Sequence, residues 1–351
     1  MCSSDLVILN PNAPASSKPG TVGVSFIGAG NFARGVLLKN LKSLPGIEYR
    51  GILTASGQSA VSAGSKFGFA FCTSEVDDIL ADAATDAVFI ATRHSQHAEL
   101  VVKALNAGKA VFVEKPLAVN AEQLERVRKA LLGVGKSEIR NPKSEIETPR
   151  FEFRASIFEF QPRLMVGFNR RFAPMAVALQ QHFAGVHPLS VHYRVNAGTI
   201  PAEHWVSDPA EGGRIVGEGC HFLDFFAFLT DSHPVSVDRI AVDRSSSDDV
   251  QLLVTYADGS VCHLTYTTTG AKATSKERVE VFGGGRSGLL DDFRSLQLDT
   301  GSKRVLNQKA WFSQDKGHAA EISQFIEAVR LGQPMPISLE SLLATTEASF
   351  T

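Results

Sequence analysis

The chain has 351 residues, with 35 basic and 37 acidic side chains and a formal net charge of -2. Its length favours two domains, and the 44% of hydrophobic residues can build a full core for each. No basic excess or long single-sign run indicates a polyanion or a membrane surface as partner. We therefore expect neither nucleic acid nor a membrane among the partners.

The cysteine pattern and the N-terminus indicate the compartment. The four cysteines are scattered without C-x-x-C spacing, so we expect no disulfide framework and no structural zinc site. The N-terminus lacks the basic start and longer apolar core of a signal peptide. No apolar stretch approaches the roughly 20 residues of a membrane helix. A cytoplasmic protein is therefore expected.

Alternating strand and helix patterns fill the first part of the chain. Residues 1–20 have no periodicity and are interpreted as a leader or linker. From Thr21 the predicted elements are strand TVGVSFI, helix RGVLLKNLKSL, strand EYRGILTA, helices SAVSAGSKFG and DDILAD, strand DAVFIAT, helix HAELVVKALNAGK, strand AVFVEK and helix AEQLERVRKALLG. This alternation predicts an α/β domain over 21–168 with a doubly wound parallel sheet.

An unusual segment follows these elements. Two seven-residue copies, KSEIRNP and KSEIETP, each end in proline. Two copies are too few and too short for a repeat fold. We interpret about 136–162 as a surface insertion that precedes the next strand of the sheet.

The sequence pattern changes over the remaining residues, 169–351. Five strand-like segments, LSVHYRV, VSVDRIAVDR, VQLLVTYADGS, VCHLTYTTT and RVEVFGG, accompany the helical segments APMAVALQQHF, GEGCHFLDFFAFL and AAEISQFIEAVRLG. The pattern predicts a second, α+β domain of mostly antiparallel sheet, which we expect to bind substrate and to associate with a second copy of the chain.

The first strand is followed at once by a G-x-G-x-x-A motif. Gly28 permits a tight turn, Gly30 lets a pyrophosphate approach the backbone, and Ala33 lets helix and strand pack closely; Asn31 and Phe32 lie between them. The helix N-terminus offers free N–H groups to the phosphates. Because the motif lies between a strand and a helix, it predicts a dinucleotide-binding Rossmann domain.

The motif leaves the choice between NAD and NADP open. The acidic residue that usually binds the ribose, about 20 positions later, is missing from Thr54-Ala55-Ser56-Gly57-Gln58. No arginine that could hold a 2′-phosphate stands there either. Ser56 is interpreted as a candidate ribose contact or as a simple turn residue.

Two further loops follow buried strands and should lie at the carboxyl edge of the sheet, where ligands bind. Thr92, Arg93 and His97 belong to the first, and either face the cofactor or are ordinary surface polar residues. Glu114 and Lys115 end the next strand and are expected to contact the cofactor, with Lys115 beside the nicotinamide. A lysine there can orient a hydroxyl and stabilise an alkoxide; an exposed lysine at a strand end is the alternative.

One helix of the second domain carries Glu218, His221 and Asp224 at i, i+3 and i+6. This spacing predicts that they occupy neighbouring parts of one face. A histidine between carboxylates can act as a general base with a tuned pKa. A satisfied, partly buried histidine is the alternative. No other cluster supports a metal site.

GAGNFA, HAELVVKALNAGKAVFVEKPL, GFNRRFAP and GGRIVGEGCHFLD together resemble the glucose–fructose oxidoreductase/inositol dehydrogenase (Gfo/Idh/MocA) family over about 21–350, apart from the insertion. TASG, ATRH, PAEHWVSDP and LDDFRSLQL resemble the C-terminal module of bacterial oxidoreductases fused to an alcohol dehydrogenase. The resemblance implies that Lys115 matches the family's EKP lysine and His221 its catalytic histidine. The family often has Asp four residues before that histidine, whereas here Glu218 stands three before.

The resemblance implies an NAD(P)-dependent oxidoreductase acting on a sugar, a cyclitol or a sugar nucleotide bound between the domains. Lys115, His221 and Glu218 would be the catalytic residues. Two alternatives stay open. One is a glycosidase that works by transient oxidation and elimination. The other is a catalytically silent nucleotide-binding module.

Overall fold

The computed structural model describes residues 6–14, 16, 18–134, 162–201, 203–242, 248–310 and 313–351. The predicted insertion at 136–162 lies, except for its last residue, outside these ranges. The strands are β1 (Val7–Ile8), β2 (Val22–Ile27), β3 (Ile47–Leu53), β4 (Phe71–Thr73), β5 (Ala87–Ile90), β6 (Ala110–Val113), β7 (Leu164–Val166), β8 (Ser190–Asn196), β9 (Pro234–Ala241), β10 (Val250–Tyr256), β11 (Val261–Thr267), β12 (Glu277–Gly283), β13 (Arg286–Asp291), β14 (Ser295–Thr300) and β15 (Lys303–Lys309). The α-helices are α1 (Leu38–Leu41), α2 (Gly57–Phe67), α3 (Val76–Ala81), α4 (His94–Asn106), α5 (Ala121–Val134), α6 (Pro174–His182), α7 (Cys220–Thr230), α8 (His318–Leu331) and α9 (Leu339–Ala348).

The first sheet has the order β1-β4-β3-β2-β5-β6-β7 within the described ranges. Strands β2 to β7 pair in parallel, and β2, β5 and β6 are buried along their whole length. This is why their sequences are continuously apolar rather than alternating. The predicted doubly wound parallel sheet is confirmed.

Two short strands at one edge of this sheet were not predicted. Strand β1 comes from the segment interpreted as a leader, and it pairs antiparallel with β4 through Val7 opposite Cys72 and Ile8 opposite Phe71. Elements of two and three residues are too short to show a period, so their sequences gave no signal.

The second sheet has the order β15-β14-β13-β12-β8-β11-β10-β9 in the described part of the chain. All its pairs are antiparallel except β8 with β11. Alternate residues of β10 and β11 are buried, as expected of a sheet with one covered face. The mostly antiparallel second domain is confirmed, but β13, β14 and β15 extend it beyond the predicted strands.

The last helices return to the first sheet. In α8, Phe325 packs edge-on against Phe89 of β5 and Phe112 of β6, with ring centroids 5.4 and 5.5 Å apart. Ile322 and Ile326 belong to the same hydrophobic core. The boundary between 168 and 169 therefore stays a prediction, because α8 follows the second sheet in sequence but packs against the first.

A buried ionic cluster ties the segments between the two sheets together. The Glu277 carboxylate accepts hydrogen bonds from Arg170 Nε (2.7 Å), the Tyr193 hydroxyl (2.6 Å) and Lys316 Nζ (2.6 Å). Burial opposes ionisation of Glu277. The charges of Arg170 and Lys316 outweigh this and hold the pKa of that carboxyl well below its usual range. One carboxylate thus connects the chain after β7, strand β8 and the approach to α8.

Replacing Glu277 with glutamine should destabilise the protein strongly. The change leaves Arg170 buried without its charge partner, and breaking such a pair costs about 3–5 kcal/mol of unfolding free energy. Urea unfolding at neutral pH measures the loss. The matched control is Glu125→Gln, whose ion pair with Lys129 is exposed and stretched to 4.0 Å, and it should change little. Equal, small losses in both variants would contradict this role for Glu277.

Candidate active site

The glycine loop lies between β2 and a helix that begins with a π-helical turn at Ala33–Leu37 and continues as α1. Gly28 adopts φ +90°, and its N–H donates to the Leu53 carbonyl at the end of β3 (2.8 Å). A Cβ on Gly28 would lie 2.4 Å from the Ala91 carbonyl oxygen. Only glycine allows both this φ and this approach to the end of β5.

Gly30, unlike Gly28, is not in close contact with a neighbouring strand; its missing side chain leaves open space beside the backbone. A Cβ at this position would meet no described atom within 4 Å, so the space beside it is open. Ala33 is buried, whereas Asn31 and Phe32 are exposed, and the Phe32 ring lies 5.8 Å from that of His318. An open cradle beside glycine backbone at a helix N-terminus fits a pyrophosphate. The residues present therefore suit a dinucleotide.

The loop in which a ribose contact is predicted follows β3. Ser56 caps α2, and its hydroxyl accepts a hydrogen bond from the Ser59 N–H (3.3 Å). The Thr54 hydroxyl donates to the Ser56 carbonyl (2.8 Å). The loop thus presents hydroxyls and no carboxylate.

The loop after β5 contacts Trp205 of the PAEHWVSDP segment, to which the sequence analysis assigned no role at the site. The Arg93 guanidinium lies over the Trp205 ring at 4.7 Å, and the His94 ring meets the same indole edge-on at 4.7 Å. Thr92 lies beside them, with its hydroxyl 3.3 Å from the Arg93 carbonyl. Trp205 therefore covers the polar residues at this edge of the sheet.

Glu211 connects the segment around Trp205 to the N-terminus of α4 in the first domain. Its carboxylate accepts hydrogen bonds from the Ser95 N–H (2.9 Å) and hydroxyl (3.0 Å). Its carbonyl accepts a third from His94 Nδ1 (3.1 Å). A carboxylate at a helix N-terminus satisfies free N–H groups and suits the helix dipole. Glu211 stands 116 residues from Ser95, so no local pattern could indicate this pairing.

His97 lies below the loop rather than in the open site. It is 1% exposed, and its Nδ1 donates to the Pro116 carbonyl (2.8 Å), which supports the turn directly after Lys115. Burial lowers the pKa of His97 to about 4 and that of His94 to about 3. The predicted cofactor contact of His97 stays a prediction.

Lys115 reaches from the end of β6 to the second domain. Its Nζ donates to the Gly217 carbonyl (3.0 Å), in a π-helical turn at Ile215–Gly219 that leads into α7. A Cβ on Gly217 would lie 2.6 Å from a ring carbon of His94, so glycine allows this close approach. Between these elements lies a cavity of about 200 Å³, whose lining includes His94, Lys115, Trp205, Arg214, Gly217 and Glu218.

Glu114, next to Lys115, turns away from solvent. Its carboxyl group lies 3.0 Å from where a Cβ on Gly167 would be, so Gly167 makes room for it. Burial raises the pKa of Glu114 to about 7. Burial also raises the pKa of Glu321, and the nearby Glu114 adds to that effect. Burial thus shifts the pKa of both carboxyl groups upward, toward the protonated form.

Glu218 lines the cavity as a carboxylate. It accepts hydrogen bonds from the Tyr266 hydroxyl (2.5 Å) and from Lys276 Nζ (2.8 Å). Burial opposes its ionisation, but Lys276 and Tyr266 more than compensate and lower the pKa of Glu218. Sequence reasoning missed both partners, which belong to β11 and the approach to β12.

His221 lies one helical turn after Gly217 and is 6% exposed. Its Nδ1 is buried and has no hydrogen-bond partner among the described residues. Burial, together with the charges of Arg170 and Lys115, lowers the pKa of His221 well below its ordinary value. The structure therefore holds a neutral imidazole with a free ring nitrogen near Lys115.

The three side chains predicted on one helix face have separate partners. Asp224 forms a buried ion pair with Arg171 (2.5 Å), while Glu218 is bound by Tyr266 and Lys276. No hydrogen bond in the described structure joins either carboxylate to His221. The predicted histidine between two carboxylates is therefore not formed as a bonded group.

Comparison with known proteins identifies the family. Residues 22–136 match the model described as "Oxidoreductase family, NAD-binding Rossmann fold", and residues 184–287 match the family's C-terminal domain. The chain belongs to the Gfo/Idh/MocA oxidoreductase family. Residues 22–136 are accordingly an NAD(P)-binding Rossmann domain.

Relatives of this family cover most of the chain. Inositol 2-dehydrogenase of Rhizobium meliloti (strain 1021) is 28% identical over 280 residues, 73% of this chain and 74% of the relative. A solved levoglucosan dehydrogenase in complex with NADH and levoglucosan shares the fold, with a TM-score of 0.74 and 19% identity over 94% of this chain and 95% of that one. A putative myo-inositol dehydrogenase from Sinorhizobium meliloti 1021 has a TM-score of 0.71 at 24% identity, over 94% of this chain and 95% of that one. No helix in the described ranges is long and apolar enough to span a membrane.

Gly30→Asp should abolish dinucleotide binding without unfolding the protein. The new side chain would enter the open cradle and repel the pyrophosphate, yet its Cβ meets no described atom. Calorimetric titration with NAD and NADP measures binding, and thermal melting without ligand measures folding. Gly35→Asp is the control, because its Cβ also meets nothing and it lies past the loop. Unchanged dinucleotide affinity in Gly30→Asp would contradict this placement.

Proposed function

We propose that this protein is an NAD(P)-dependent dehydrogenase that oxidises a secondary alcohol of a sugar, cyclitol or sugar nucleotide. The observation that carries the proposal is the meeting of Lys115 with the helical turn that precedes His221, at the carboxyl edge of the parallel sheet. The names of the relatives, inositol 2-dehydrogenase and levoglucosan dehydrogenase, support a polyhydroxylated substrate.

Lys115 is suited to hold the reacting oxygen. Its ammonium group is anchored by one hydrogen bond to the Gly217 carbonyl and borders the cavity. The remaining N–H groups of the ammonium can donate to a substrate hydroxyl. A fixed positive charge at this place stabilises the negative charge that develops on the oxygen as its proton leaves.

His221 is suited to accept that proton. A general base must be unprotonated at the working pH, and burial keeps this imidazole neutral. The imidazole would take the hydroxyl proton as the C–H bond loses a hydride. The nicotinamide, when bound, supplies the hydride acceptor. The alcohol thereby becomes a carbonyl group, and its proton rests on His221.

Other cavity residues fit the hydroxyl groups and the ring of a sugar. The ionised Glu218 can accept hydrogen bonds from hydroxyls, and the Arg214 side chain beside it can donate. Trp205 offers an aromatic face with a polar N–H, a combination that suits amphipathic ligands. These three residues would select the substrate, while Lys115 and His221 act on it.

A substrate screen tests this function. Inositols, anhydrosugars, free sugars and sugar nucleotides are each mixed with NAD or NADP, and reduced nicotinamide is followed by absorbance. Net reduction with one substrate class supports the dehydrogenase. Release of sugar from a glycoside without net reduction would indicate the redox-elimination alternative. Dinucleotide binding without turnover on any compound would indicate a silent module.

We also propose a homo-oligomer formed through the open face of the second sheet. The strand registers place Ile240, Leu253, Val261 and Phe282 on the same outward side, and all four are exposed. Apolar residues gathered on an exposed sheet face favour association. Light scattering after gel filtration, with Phe282→Lys as the variant, tests the oligomer.

The free, buried Cys72, Cys220 and Cys262 support the expected reducing, cytoplasmic setting.

Lys115→Ala and His221→Ala should each lower turnover by about 100-fold or more, the range for removing a proton-transfer or charge-stabilising group. Dinucleotide affinity should stay nearly unchanged, because neither side chain contacts the glycine loop. Steady-state kinetics and dinucleotide titration measure the two effects. Lys103→Ala and His192→Ala, both exposed, are the controls. Full activity in either active-site variant would refute its role.

The pH dependence of kcat/KM should reflect the lowered pKa of His221. A base with a lowered pKa stays unprotonated, and therefore competent, until the pH falls below its ordinary value of 6.5. We expect the acidic limb of the profile to lie below pH 6.5 and to disappear from the residual activity of His221→Ala. An acidic limb at or above 6.5 would show that another group controls it.

A further inference from the structure

An arginine from another part of the chain reaches the loop after β3. Arg34 lies in the first turn of the helix that follows the glycine loop. Its Nε donates to the Ala29 carbonyl inside that loop (2.7 Å), and its Nη2 approaches the Ser59 carbonyl in the first turn of α2 (3.5 Å). The guanidinium therefore bridges the glycine loop and the start of α2.

The Arg34 guanidinium forms no ion pair with a carboxylate in the described ranges. Its two partners are carbonyl oxygens, and the side chain is only half-buried. The nearby turn contributes three hydroxyls: those of Thr54 and Ser59 contact each other, and that of Ser56 accepts a hydrogen bond from the Ser59 N–H. The Arg34 guanidinium thus lies against the turn that carries these hydroxyls.

We propose that Arg34 and Ser56 form a subsite for the 2′-phosphate of NADP, so that this protein binds NADP in preference to NAD. The inference rests on the proposed dinucleotide-dependent function and narrows its cofactor. The sequence of the loop after β3 left the choice between NAD and NADP open, because this arginine comes from the helix after the glycine loop and not from the loop after β3.

The chemistry of the two cofactors differs only at this place. In Rossmann domains the adenine ribose lies at the end of the second strand, where a carboxylate binds the free 2′-hydroxyl of NAD and repels a 2′-phosphate. Residues 54–60 contain no carboxylate. A guanidinium has several N–H groups in a fork that matches phosphate oxygens, and the serine hydroxyl can donate as well. The free 2′-hydroxyl of NAD carries no negative charge that could pair with the Arg34 guanidinium.

Binding measurements on the full chain test the subsite without relying on turnover. NADPH and NADH are titrated separately, with reduced-nicotinamide fluorescence as the signal. We expect NADPH to bind at least about tenfold more tightly than NADH, the effect of a charge-assisted hydrogen bond. Arg34→Gln should remove most of this difference by weakening NADPH while leaving NADH within about twofold. Lys39→Gln removes the same charge from an exposed position on the same helix and should preserve the preference.

Ser56→Asp is a second variant that leaves Arg34 in place. It supplies the missing carboxylate and should reverse the preference toward NADH. Equal or tighter binding of NADH by the unaltered protein would overturn the inference and leave the proposed dehydrogenase standing. An equal loss of both dinucleotides in Arg34→Gln would also overturn it, since Arg34 would then only support the loop. Failure of both dinucleotides to bind the unaltered protein would instead contradict the proposed function.

Discussion

The buried charge of Glu277 is the constraint on which the geometry of the site depends. A desolvated carboxylate is stable only when cations and hydroxyls surround it, and here Arg170, Tyr193 and Lys316 do so. Arg170 in turn lies over the Phe222 ring at 4.9 Å, directly beside His221 in sequence. A requirement of folding thus fixes a positive charge near the imidazole. That charge adds to burial in keeping His221 neutral.

A shifted pKa alone does not distinguish a catalytic residue from a structural one at this edge of the sheet. His97 and His221 are both buried with lowered pKa values, but His97 uses Nδ1 to hold the Pro116 carbonyl. His221 keeps its Nδ1 free and lies a turn from the contact of Lys115 with Gly217. Because His97 Nε2 also lacks a described partner, the position of His221 beside the Lys115–Gly217 contact, rather than a free nitrogen or a shifted pKa, favours it as the base.

Local patterns predicted much of the fold, and distant pairings account for what they missed. The parallel sheet and the glycine loop could be read because buried strands and G-x-G-x-x-A are contiguous in sequence. Strand β4 is too short to show a period. In the site, Lys115 and the helix of His221 were expected at one cleft and do meet at Gly217. The contacts of Glu211 with Ser95 and of Arg34 with Ser59 could not be found this way, because 116 and 25 residues separate the partners.

The contacts around α4 make the two halves of the site one unit. Arg93 and His94 follow a strand of the cofactor domain, yet both pack on Trp205 of the substrate side. Glu211, a few residues after Trp205, binds Ser95 in the next position of α4. One wall of the proposed substrate cavity is therefore anchored on α4, which follows the end of β5 in the Rossmann sheet. Because these contacts are shared, a displacement of α4 would also move Trp205 and Glu211 and so reshape the cavity.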